Sequence, residues 1–152
     1  MDRREFFMNL DETLLLSSLN QQKVESQGTY FSSYRRRSNG FSYCIKLPKP
    51  QFLNQLLGAH AREQFISLIN QLGRDPFPYL PPMIAGQGES YQLWIIMPWG
   101  VSVRPPSDIS KTLTYIEKTY HITLQDMLQC HQSEDLIFLS DWSDLMQKPT
   151  VS

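Results

Sequence analysis

The chain has 152 residues, 14 Lys and Arg against 15 Asp and Glu for a formal charge of −1, and 41% apolar and 12% aromatic residues. This length and apolar content predict one compact domain with a substantial core and argue against a disordered chain. No apolar run approaches the ~18 residues of a bilayer span, and two cysteines, Cys44 and Cys130, are too few for a disulfide scaffold; a cytoplasmic protein without a membrane span is expected.

Asp2 is placed to cap an amphipathic helix in which Phe6, Phe7, Leu10, Leu14 and Leu15 recur at three- and four-residue spacing. Arg3-Arg4-Glu5-Phe6-Phe7 resembles the head of a twin-arginine export signal, but Asn9, Asp11 and Glu12 occupy the place of its apolar stretch. The helix is the expected reading. From Ser26 to Ser38 apolar periodicity fades, which predicts a basic connecting segment ending in a turn at Asn39-Gly40. Residues 1–40 are accordingly expected as an N-terminal helical extension, and residues 41–152 as a single α+β domain.

Phe41, Tyr43, Ile45 and Leu47 alternate with polar or small residues, the two-residue period of a half-buried strand. One helix is expected from Pro50 to Leu72, with Phe52, Leu56, His60, Phe65, Leu68, Ile69 and Leu72 on its apolar stripe. His60 is expected there as a partly buried, satisfied side chain. Asp75 to Pro82 carries too many prolines for a helix or central strand and is expected as an ordered loop. Tyr91 to Met97 and Val101 to Arg104 read as two strands of a hairpin turning at Pro98-Trp99-Gly100. Ser107 or Asp108 is suited to cap a helix carrying Leu113, Ile116 and Tyr120, and Thr123 with Asp126 suggests a further helix running to His131. Leu136 to Leu139 reads as a last strand and Asp141 to Met146 as a final helical turn. Beyond residue 40 the order is strand, helix, strand, strand, helix, strand, which predicts a ferredoxin-like split βαβ sheet.

Charge is unevenly placed: residues 1–76 carry net +3 and residues 77–152 net −4. Between Glu25 and Glu63 there is no acid, while Arg35, Arg36, Arg37, Lys46, Lys49 and Arg62 are interleaved with aromatic residues. This patch suits an acidic protein partner or the acidic C-terminal half of a second copy. Tyr30, Tyr34, Arg35, Arg36, Arg37 and Lys46 together also suit single-stranded nucleic acid or RNA, with arginines on phosphates and rings stacked on bases. Arg35-Arg36-Arg37-Ser38 further matches the target pattern of a basophilic kinase.

The three histidines and two cysteines show no metal-ligand spacing, and no nucleophile elbow, zinc-peptidase helix or phosphate-cradling loop is present. No catalytic residue, metal or cofactor is expected. Aromatic residues crowd the predicted connections, notably Phe77, Tyr79 and Trp99, and interfaces favour such side chains. The expected function is therefore a non-enzymatic interaction module, an adaptor, assembly factor or regulatory subunit that contacts its protein partner, or another copy of itself, through Arg35, Arg36, Arg37, Phe77, Tyr79 and Trp99.

Overall fold

A computed structural model of the chain describes residues 1–21, 26–27, 30–53, 58–88, 91–124 and 129–146. Helices α1 (Arg3–Met8) and α2 (Glu12–Ser17) and a 3₁₀ turn precede strands β1 (Ser26–Gln27), β2 (Phe31–Ser38) and β3 (Phe41–Pro48). Helices α3 (Pro50–Leu53) and α4 (Gly58–Gly73) lead to β4 (Ile84–Gly86), β5 (Trp94–Pro98) and β6 (Val101–Val103). Then come α5 (Ile109–Tyr120), β7 (Cys130–Ser133), β8 (Leu136–Leu139) and a 3₁₀ turn at Ser143–Met146. The fold is α+β with two antiparallel sheets, one ordered β1-β2-β3-β5-β4 and the other β6-β7-β8.

The five-stranded sheet is covered on both faces, and strand alternation assigns the covers. Tyr43 and Ile45 of β3 and Trp94 and Ile96 of β5 point to one face, where Phe6, Leu15 and Leu19 of the N-terminal helices bury them. Cys44, Ile95 and Met97 point to the other, against Phe65, Ile69 and Leu72 of α4, Ile116 of α5 and Phe138 and Leu139 of the second sheet. Residues 1–19 thus complete one of two hydrophobic cores. Burial of such side chains stabilises by roughly 1.5–3 kcal/mol each.

Several expectations change. The part of the expected connection from Phe31 to Ser38 is a strand: β2 pairs with β3 over eight residues, from Phe31 opposite Pro48 to Ser38 opposite Phe41. Asn39 and Gly40, both at positive φ, form the tight turn that joins them. The first helix stops at Asn9, because Asp11 begins a second one by accepting from the Leu14 N–H at 3.0 Å. Asp2 does cap α1, in a reciprocal box with Glu5. Of the helix expected from 50 to 72, residues 54–57 lie outside the described residues; α3 covers Pro50–Leu53 before them, and α4 follows from Gly58, whose φ is +83°. His60 is exposed rather than part of the buried stripe, which consists of Phe65, Ile69 and Leu72.

The expected hairpin between β5 and β6 does not form. β5 lies between β3 and β4, whereas β6 crosses to pair with β7. Cys130 and His131, expected at a helix end, lie on β7, because the two-residue turn at Glu134-Asp135 folds that strand back on β8; the rest of that predicted helix falls partly outside the described residues. Since β6, β7 and β8 leave the main sheet, the strand order does not give the single four-stranded ferredoxin-like sheet.

Candidate functional site

The two sheets are joined where Trp99 and Gly100 carry the chain from β5 into β6. The Trp99 N–H donates to the Ser42 carbonyl at 3.2 Å, fixing the crossing to β3. A side chain at Gly100 would meet the Gln132 backbone at 2.8 Å, so glycine lets β7 approach. This junction leaves a cleft of about 360 Å³, lined on one side by Arg35, Arg37 and Ser42, on another by Trp99 and Val101, and closed by Gln132 to Glu134.

Alternation along β2 decides which arginines enter it. Arg35 and Arg37 share the cleft's side of the sheet, and Arg36 projects from the opposite face. The Arg35 guanidinium lies over the Trp99 ring, 5.4 Å from its centroid, and reaches Ser42 Oγ at 3.4 Å. Arg37 donates to the Gly40 carbonyl at 2.7 Å. Arg36 instead sits over Tyr34, 5.8 Å from the ring centroid, and donates to the Arg35 carbonyl. Glu134 belongs to the cleft but pairs with the Met1 amine at 3.2 Å, so among the described residues neither Arg35 nor Arg37 has an acidic partner. A cation held over an indole gains roughly 0.5–1 kcal/mol at an exposed site and keeps its outward N–H groups available.

The structure therefore brings together Arg35, Arg37 and Trp99, while Arg36 lies on the far face. Phe77 and Tyr79 lie elsewhere, tied into the loop that α5 covers. Phe77 stacks on Tyr115 with centroids 3.8 Å apart and planes 7° from parallel. Tyr79, at φ 68°, donates its hydroxyl to Asp108 at 2.7 Å, and its carbonyl accepts from the Leu139 N–H. Asp108, foreseen as a helix cap, spends its carboxylate on this tyrosine and makes no side-chain cap bond. Polar anchoring of that loop centres on Asp75, whose carboxylate accepts from Tyr115 and Tyr120, each at 2.7 Å, and from the Phe77 N–H. Partial burial alone would raise the Asp75 pKa, but these donors and nearby Arg3 outweigh it and hold the carboxyl below its ordinary value.

The six residues that suit nucleic acid are likewise divided. Tyr30 packs on Phe52 with centroids 4.7 Å apart, Tyr34 joins the core beneath the N-terminal helices, and Lys46 Nζ donates to the Ser140 carbonyl at 2.8 Å. Ser38 is 2% exposed and donates to the Asn9 carbonyl, so the kinase pattern is closed in the folded chain. Cys44 and Cys130 are both buried, and burial raises both thiol pKa values away from the reactive thiolate. Burial, with Lys46 nearby, lowers the His131 pKa. Among the described residues no three His, Cys, Asp or Glu side chains converge on a metal site, and no helix is long and apolar enough to cross a membrane.

The Arg35 and Trp99 pairing was not foreseeable from spacing. Sixty-four positions separate them, and only the β3 to β5 ladder, with Tyr43 opposite Pro98, brings them into contact. The chain matches no family model, no curated protein and no solved structure.

Proposed function

We propose that this protein is a non-enzymatic interaction module, an adaptor, assembly factor or regulatory subunit, that holds an acidic segment of a protein partner in the cleft between its two sheets. The observation that carries this reading is the pair of arginines, Arg35 and Arg37, aimed into a cleft with an aromatic wall and lacking acidic partners among the described residues. Carboxylates suit such a place, because arginine binds them through two parallel N–H donors. The protein reading is preferred to nucleic acid because Tyr30, Tyr34, Arg36 and Lys46 do not share the cleft's surface. Two buried, unpaired thiols suit action in the reducing cytoplasm.

The test is fluorescence anisotropy with a labelled peptide of alternating glutamate and threonine, a glutamine counterpart and a single-stranded RNA. The acidic peptide should bind in preference to both others, and the double variant Arg35→Glu, Arg37→Glu should weaken it at least about tenfold. Equal binding of the glutamine peptide, or undiminished binding by the double variant, overturns the reading. Preferential capture of the RNA through the same arginines replaces it with nucleic-acid binding.

A further inference from the structure

The second sheet ends at its two edges in different ways, and hydrogen-bond parity shows how. The Ser140 N–H donates to the Gln129 carbonyl at 3.0 Å, so 129 with 140, 131 with 138 and 133 with 136 are the bonded pairs between β7 and β8. The intervening Cys130 and Gln132 must then turn their backbone groups toward β6, where Val103 and Val101 lie opposite them. Leu139 obeys the same parity, since its N–H leaves the ladder and donates to the Tyr79 carbonyl at 2.9 Å. The β8 edge is thus engaged by the loop.

The β6 edge is not engaged among the described residues. With Val101 and Val103 bonded to β7, alternation turns the N–H and C=O of Ser102 outward. Ser102 is exposed, as is Arg104, and the Val101 side chain is 65% exposed. Pro105 and Pro106 end the strand there, limiting the open template to a short stretch. Trp99, Gly100 and Val101 form both the lip of the cleft and the entry to this edge.

We propose that the outer edge of β6 receives the acidic segment as an added strand, with Ser102 supplying the central backbone pair, Arg35 and Arg37 meeting its acids at one end and Arg104 at the other. This rests on the cleft reading above and adds the mode of binding. Charge selects the occupant: the chain has no acidic residue from Tyr91 to Ser107, and the edge is bracketed by arginines at both ends. The span from Val101 to Arg104 is roughly 10 Å at the rise of an extended strand, so the acids should bracket a stretch of that length. Strand addition draws affinity from main-chain hydrogen bonds and selectivity from alternate side chains.

The experiment uses the same labelled glutamate and threonine peptide in two further forms, each N-methylated on one alternate set of amides. Only an added strand makes the two sets inequivalent, because one set faces β6 and the other faces water. One form should lose about tenfold or more in affinity and the other should bind like the parent. In parallel, Ser102→Pro removes the outward donor while sparing the Val101 and Val103 ladder bonds, and should weaken the parent peptide similarly. Should that variant fail to fold, the methylated peptides on the unaltered protein still decide. Equal binding of both methylated forms overturns strand addition. If Arg35→Glu, Arg37→Glu still abolishes binding in that case, the cleft reading survives alone; if the parent peptide never binds, both fall. Concentration-dependent dimerisation that Ser102→Pro abolishes, without peptide binding, would replace the acidic segment with a second copy of β6.

Discussion

The Asn70 carboxamide and the Ala85 backbone are joined by two hydrogen bonds, with the Ala85 N–H donating to Oδ1 at 2.9 Å and Nδ2 donating to the Ala85 carbonyl at 3.0 Å. Asn70 lies on α4 and Ala85 on β4, the edge strand of the five-stranded sheet, so one amide reproduces the bonds a neighbouring strand would make. The main sheet is closed at β4 by a side chain, whereas β6 keeps its outward groups open among the described residues.

Replacing Asn70 by Ala should therefore leave a partly buried donor and acceptor unpaired and cost about 1–3 kcal/mol in urea unfolding. Amide exchange at Ala85 should accelerate, and the uncovered edge should promote association at high concentration. Asn70→Asp keeps the acceptor for the Ala85 N–H but sets a carboxylate against the Ala85 carbonyl, so it should also destabilise. An unchanged exchange rate at Ala85 in both variants would show that the amide does not seal this edge.

Asp75 predicts an acid-sensitive loop. Its native pKa lies below the ordinary 3.8, so the unfolded chain takes up this proton first as pH falls. The stabilisation it gives is complete above pH 3.8 and drains away as pH drops through the lower native value. Tyr115→Phe and Tyr120→Phe should each cost about 1–2 kcal/mol at neutral pH, because each deletes a donor to a charged acceptor. Both variants should also flatten the acid limb of the stability profile. A profile identical to the unaltered protein would place the acid sensitivity elsewhere.

Tyr43 gives the alkaline counterpart. Its buried hydroxyl donates to the Phe6 carbonyl at 2.7 Å, and burial pushes its pKa from 10.0 up to about 12. A raised phenol pKa favours the protonated folded state, so its stabilisation is whole below pH 10 and lost as pH climbs toward 12. Tyr43→Phe should remove that alkaline dependence and, by orphaning the Phe6 carbonyl, cost about 1–3 kcal/mol at neutral pH. Proteolysis should then begin within residues 1–19, whose helices this hydroxyl helps hold to the sheet. Cleavage that starts elsewhere would show that the bond does not govern their attachment.

How much of this was legible in the sequence follows from where each signal resides. The β3 strand announces itself because Phe41, Tyr43, Ile45 and Leu47 alternate locally, and the Asn39-Gly40 turn because only a few residue types accept its backbone angles. The β2 strand does not, since Phe31 and Tyr34 belong to opposite faces and the three arginines that follow them read as solvated connection. It is a strand because β3 pairs with it along its whole length. The same holds for β7, where a polar run becomes a strand through its hairpin with β8. At the site, arginine and tryptophan were legible as residue types suited to binding, but their union was not. Phe77 and Tyr79 looked alike in composition, and only packing separates aromatics stacked into a loop from one at the mouth of a cleft.

That separation yields a spectroscopic prediction. Trp94 and Trp142 are 7% and 2% exposed, whereas Trp99 is only partly buried and lines the cleft. Acrylamide should quench Trp99 preferentially, and the acidic peptide should shield it. Trp99→Phe should abolish the peptide-dependent change in emission while retaining a ring beneath Arg35, so affinity should fall by only a few-fold, phenylalanine being the weaker partner for a cation. Arg35→Gln should retain the fluorophore but lose the charge, so titration should demand much more peptide to reach the same shielding. A peptide-dependent emission change that persists in Trp99→Phe would place the bound segment against another tryptophan, away from the junction of the two sheets.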